Sequence, residues 1–169
     1  MRIAVIGNSG SGKSTLASGL ATELRAATLD LDTVFWEPNQ IAVPRNSAAA
    51  RADVAAFCGA HEQWVIEGCY ASLAEASFPF APVLIFLNAS VETCIAHCRA
   101  RPWEPHKYAS EAEQDERLEF LLQWVASYPT RDDDMSLKAH RRVFDGYPGK
   151  KLELNERMSA PALLKKLSG

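Results

Sequence analysis

Short apolar runs alternate with stripes of helical period along this chain. Ile3–Ile6 is a run of β-branched and small apolar residues ending at Gly7, the pattern of a buried central strand feeding a tight turn. Beyond Gly12, Leu16, Leu20 and Leu24 recur every four residues and predict a helix with one apolar face. Ala27–Leu31 is a second strand candidate. Pro38 and Pro44 bracket a loop, after which Asn46 or Ser47 caps an alanine-rich helix reaching about Ala60. Trp64–Ile66 predicts a third strand entering a turn at Glu67–Gly68, and Val83–Leu87 a fourth. A helix over Val91–Arg101 is broken by Pro102 and Pro105. Glu111–Ser127 reads as helical through Leu118, Leu121, Leu122 and Val125, and Met135–Phe144 as another helix. The run Asp132–Asp134 between them reads as a cap and a solvated turn. Lys151–Leu154 is the fifth strand, and a terminal helix opens at Ala160–Pro161.

Strands alternating with helices imply right-handed crossovers and a parallel sheet. The expected class is therefore α/β, three layers with a five-stranded parallel sheet covered on both faces. At 169 residues the chain has the length of one domain, and no internal repeat divides it. The net charge of -3 gives no general attraction to polyanions and argues against direct nucleic-acid binding. Four cysteines, Cys58, Cys69, Cys94 and Cys98, with no secretory segment read as reduced thiols of a cytoplasmic protein. The longest nearly uncharged run, Cys69–Val91, contains Glu75, Pro79 and Pro82 and so is not a membrane-spanning helix.

The turn after the first strand carries the chemistry. Gly7, Asn8, Ser9, Gly10, Ser11, Gly12, Lys13 and Ser14 match G-x-x-x-x-G-K-[ST] between a strand and a helix, the context this phosphate-binding loop requires. The glycines let backbone N–H groups turn inward around phosphates, and the helix N-terminus adds positive potential. Lys13 is expected to reach the β- and γ-phosphates of ATP, Ser14 to bind Mg²⁺, and Thr15 to approach the α-phosphate. The predicted architecture is thus a P-loop NTPase fold with ATP and Mg²⁺ as cofactors.

Catalysis also needs acids that hold Mg²⁺ and position the attacking group. Asp30 and Asp32 end the second strand, where an i, i+2 pair shares a face. Either is a candidate catalytic acid. Glu67, after the third strand, is placed to bind Mg²⁺ through water.

GNSGSGKST, LDLDTVFW (Leu29–Trp36), WVIEGCY (Trp64–Tyr70) and VLIFLNAS (Val83–Ser90), with a weaker EFLLQW (Glu119–Trp124), resemble in order and spacing the DNA topology modulation proteins, a group of small adenylate-kinase-like kinases. The resemblance implies an adenylate-kinase-like fold, with an acceptor-binding segment over about 33–62 and a lid over about 99–131. It places Asp32 on the acid of L-D-x-V-[YF]-W and Glu67 on the Asp of W-V-I-D-G-N-Y. Monophosphate kinases follow the latter acid with G-[FY]-P-R. Here Cys69, Tyr70, Ala71 and Ser72 supply no arginine, which counts against a monophosphate acceptor.

A lid needs cations that close over the transferred charge. Arg99 is the candidate catalytic arginine and Arg101 a nucleotide contact, with Arg131 a second candidate on the return side; Arg45 and Arg51 flank the acceptor segment. Cys94, His97, Cys98 and His106 lack a second ligand pair with zinc spacing, so the thiols read as small buried side chains. Phe35 and Trp36, beside Asp32, are candidates for a wall of the acceptor pocket. The expected activity is transfer of phosphate from ATP to a small-molecule acceptor, a nucleoside or nucleotide among the candidates. The alternative is a nucleotide-binding regulator of DNA topology or gene expression. A regulatory GTPase is disfavoured because Asn88–Ala89–Ser90 stands where N-K-x-D would follow the fourth strand.

Overall fold

The computed structural model describes residues 1–38, 43–103 and 110–168. His106, Pro105 and parts of the expected acceptor and lid segments lie outside them. The β-branched runs form five strands: β1 (Arg2–Gly7), β2 (Ala27–Asp30), β3 (Trp64–Gly68), β4 (Val83–Leu87) and β5 (Lys151–Leu154). All pair in parallel, in the order β2-β3-β1-β4-β5.

Helices cover both faces because the strand residues alternate between two apolar layers. Ile3, Val5, Val65, Ile85 and Leu87 pack on α1 (Lys13–Leu24) and α8 (Ala160–Ser168). Ala4, Ile6, Trp64, Ile66, Leu84 and Phe86 pack on α3 (Ser47–Ala60), α4 (Ala71–Glu75) and α7 (Leu137–Gly146). The predicted stripe holds: Leu16 and Leu20 are buried and Leu24 packs beside them. A third cluster, Ala89, Cys94, Cys98, Leu122 and Val125, joins α5 (Val91–Arg99) to α6 (Glu111–Ala126).

Four expectations change. The second strand stops at Asp30, because the Asp30 carboxylate accepts the Asp32 N–H at 2.9 Å and turns the chain into a short helix, α2 (Asp32–Phe35). The two aspartates therefore do not share a strand face. The third strand continues through Glu67 to Gly68, where the sequence suggested a turn; a Cβ on Gly68 would lie 2.7 Å from that of Leu31. The fifth helix ends at Arg99, before Arg101. The cap of α7 is Ser136, whose hydroxyl accepts the Ala139 N–H at 3.1 Å, so the aspartate run does not cap that helix. Asp134 is held rather than solvated: its carboxylate takes the Ser72 N–H at 2.9 Å and hydroxyl at 2.7 Å, fixing the start of α4.

Candidate active site

β1 delivers the chain to Gly7 at the C-terminal edge of the sheet, and the loop that follows has no room for side chains at two glycines. A Cβ on Gly7 (φ 154°) would meet the Leu87 carbonyl oxygen at 2.4 Å, and one on Gly10 (φ 79°) the Cys94 carbonyl oxygen at 2.3 Å. The loop is thereby pressed between the end of β4 and α5. Gly12 (φ 97°) caps α1, leaving that helix's first N–H groups without intrahelical partners. Lys13 is 7% exposed, and its Nζ donates to the Asn8 carbonyl at 2.9 Å. Asn8 Oδ1 accepts the Ser9 N–H at 2.8 Å. The Ser11 hydroxyl is buried without a hydrogen-bond partner among the described residues.

This loop floors a cleft of about 460 Å³ lined by Lys13, Ser14, Thr15, His97, Arg101 and Arg157. Three cations around an amide-lined, positively charged helix start fit a polyphosphate. Sequence reasoning missed Arg157, which comes from the segment between β5 and α8 and approaches Gly12. No motif surrounds it, and only the parallel topology brings that segment to the loop.

Ser14 also lines a second cavity, of about 430 Å³, together with Asp30 and Glu67. The register explains the grouping, since Asp30 and Glu67 are paired neighbours on β2 and β3, and Glu67 pairs with Val5 on β1. Two carboxylates and a hydroxyl are few, hard oxygen donors. They fit Mg²⁺, which keeps most of its water shell. Cys94 and Cys98 are free, buried thiols, as expected.

Asp32 faces different company. Tyr70 donates its hydroxyl to Asp32 Oδ1 at 2.7 Å, and its ring stacks on Phe35 at 4.1 Å, with Trp36 edge-on to Phe35 at 4.7 Å. Burial, reinforced by the Asp32 charge, pushes the Tyr70 hydroxyl well above the usual tyrosine range, so it remains a donor. The expected aromatic neighbours of Asp32 are present, and Tyr70, unflagged by the sequence, completes them. Cys69 lies close to Lys13, Asp32 and Glu67, and burial pushes its thiol up, away from the reactive thiolate.

The arginines divide. Arg101 lines the cleft; Arg99 is exposed on α5 and does not. Arg131 is tied into the α6–α7 connection: its Nη1 and Nη2 donate to the Trp124 and Met135 carbonyls at 3.0 and 2.6 Å, and its guanidinium stacks on Trp124 at 3.7 Å. Those contacts set Arg131 on the α6–α7 connection, and it does not line the cleft of Lys13 and Arg101. Arg45 pairs with Asp53 at 2.7 Å, and Arg51 donates to the Ser72 carbonyl, bracing α3 on α4.

A parallel sheet of this order with a glycine loop leaving its central strand defines a P-loop NTPase fold. The chain belongs to the AAA domain family, whose profile matches residues 3–119. No curated protein sequence matches it significantly. Among solved structures it is similar to a sugar kinase from Janibacter sp. HTCC2649 (16% identity, 98% of this chain and 91% of that one, TM-score 0.54). It is also similar to shikimate kinase from Bacteroides thetaiotaomicron (18%, 99% and 96%, TM-score 0.53) and to a gluconokinase from Sinorhizobium meliloti 1021 (19%, 98% and 87%, TM-score 0.53). At these identities the likeness is one of fold. No helix among the described residues is long and apolar enough to cross a membrane.

Proposed function

We propose that this protein is an ATP-dependent kinase that transfers the terminal phosphoryl group to a small-molecule acceptor. The observation that carries the reading is the double position of Ser14, which lines both the cationic cleft and the cavity of Asp30 and Glu67. Phosphates and acids therefore meet at one side chain, as phosphoryl transfer requires. Solved relatives named as sugar, shikimate and gluconate kinases support a small-molecule acceptor. The order of motifs further supports placing the chain with the DNA topology modulation proteins as a cytoplasmic, adenylate-kinase-like member of the class.

In this reading the loop amides and Lys13 hold the β- and γ-phosphates, and Arg101 and Arg157 flank the nucleotide. Thr15 faces the α-phosphate. Ser14, Glu67 and Asp30 would hold Mg²⁺, which when bound would supply screening of the phosphate charge. The acceptor, bound by the segment over about 33–62, presents a hydroxyl to Asp32. Its oxygen attacks the terminal phosphorus, the bond to the bridging oxygen breaks, and the proton passes to Asp32. The segment over about 99–131 forms the lid, and Arg99 reaches the transferring group only when that lid closes.

Calorimetric titration of the protein and of Lys13→Ala with ATP·Mg²⁺ tests the donor half. An unchanged affinity in the variant sinks it. Screening ADP release over nucleosides, nucleotides, sugars and small acids tests the acceptor half, and no turnover with any class counts against a kinase.

A further inference from the structure

The first half of the phosphate loop is suspended between two helices that the motif does not mention. Asn8 is 2% exposed, and its Nδ2 donates to the Val125 carbonyl in the last turn of α6 at 3.1 Å. That carbonyl is available for a reason written in the sequence. Four residues on stands Pro129, which has no N–H, so the usual helical donor is missing; the Tyr128 N–H approaches the carbonyl at 3.2 Å. On the other side, His97 on α5 has Nδ1 2.7 Å from the Gly10 carbonyl oxygen. A carbonyl only accepts, so Nδ1 carries the hydrogen. The loop lies close against α5 at Gly10, where an added Cβ would be 2.3 Å from the Cys94 carbonyl oxygen and 2.8 Å from Cys98 Sγ. α5 and α6 are in turn packed on each other through Cys94, Cys98, Leu122 and Val125.

We propose that His97 and Asn8 are positioning residues for nucleotide binding: they hang residues 8–10 of the loop between α5 and α6, and so aim its N–H groups before the phosphates arrive. The inference rests on the reading of this loop as the nucleotide site. It also links occupancy to α6. The Asn8 carbonyl is the partner of Lys13, while the Asn8 side chain holds Val125, so phosphates that draw Lys13 away act on the residue that anchors the end of that helix.

The test uses the full chain and compares ATP·Mg²⁺ affinity in His97→Asn, His97→Gln and Asn8→Ala by calorimetry. An asparagine amide nitrogen stands where Nδ1 does, and a glutamine amide reaches toward the Nε2 position. Both are polar replacements on a helix surface, which keeps folding comparable. His97→Asn is expected to bind within about 3-fold of wild type, and His97→Gln and Asn8→Ala about 10-fold or more weakly, close to one hydrogen bond's worth of affinity. Hydrogen exchange adds a second readout: nucleotide should slow exchange at Leu122–Tyr128 in wild type and not in Asn8→Ala. Equal affinities of His97→Asn and His97→Gln, or nucleotide protection of α6 that survives in Asn8→Ala, overturn the proposal. A wild-type protein that binds no nucleotide refutes the donor reading instead.

Discussion

The hydroxyl of Tyr70 and the carboxylate of Asp32 meet at 2.7 Å, although one follows β3 and the other opens α2. Because Tyr70 is buried and stacked on Phe35, this bond fixes one carboxylate oxygen of the residue proposed to take the acceptor's proton.

Removing that hydroxyl separates positioning from nucleotide binding. Tyr70→Phe is expected to lower kcat by ~10-fold or more while leaving ATP affinity unchanged, and to reduce stability by about 1 kcal/mol, the net worth of one intramolecular hydrogen bond. Steady-state kinetics with the acceptor found by screening, together with urea unfolding, check both parts.

Asp30 and Asp32 should be separable by what each substitution changes. Asp30→Asn retains an oxygen to accept the Asp32 N–H, so the turn survives. With its charge gone beside Ser14 and Glu67, it is expected to raise the Mg²⁺ concentration needed for half-maximal activity. Asp32→Asn should instead lower kcat by ~100-fold or more at saturating Mg²⁺, the range of a lost general base. A metal titration of both variants distinguishes the roles.

His140 gives the fold a pH dependence of defined sign. It is fully buried, its Nε2–H donates to the Cys69 carbonyl at 2.6 Å, and its Nδ1 accepts the Tyr128 hydroxyl at 2.7 Å. Burial, the dominant cause, lowers its pKa from 6.5 to about 4. Between these values the unfolded chain binds the extra proton and the folded one does not. Stability is therefore complete above about pH 6.5 and falls as the pH drops toward about 4, by about 3 kcal/mol in all. Glu153, held near 2 by its pairing with Arg141, loses its contribution only below its ordinary value of 4.5, so urea unfolding between about pH 7.5 and about pH 5, a window that straddles the histidine's ordinary value and stays above that of Glu153, isolates His140. His140→Gln should flatten that slope.

Gly68 is a packing position. Gly68→Ala places a methyl against Leu31, the residue that connects Asp30 to Asp32, and is expected to cost about 1–3 kcal/mol. Thermal unfolding measures the loss, and added ATP·Mg²⁺ should recover less of it than in wild type if Glu67 shifts with its neighbour.

Strands and long helices were legible because apolar period and β-branching are local signals: the stripe Leu16, Leu20, Leu24 and the run Ile3–Ile6 each specify their own element. The phosphate loop was legible for the same reason, since every member is contiguous. Asp32 was misplaced because an alternating pattern cannot announce that a carboxylate will turn the chain back on itself two residues early. Four-residue α2 has too few positions to show a period. Tyr70, His97 and Arg157 acquire their meaning only from topology, which carries the ends of β3, β4 and β5 to one edge of the sheet.

The contact between Lys13 and the Asn8 carbonyl has a consequence for selectivity. Lys13 Nζ sets one of its three N–H donors on a neutral oxygen at 2.9 Å, a partner that an anionic oxygen outcompetes. A small monoanion meets the lysine at one point, whereas in the proposed reading a chain of phosphates would engage the lysine and the loop amides together.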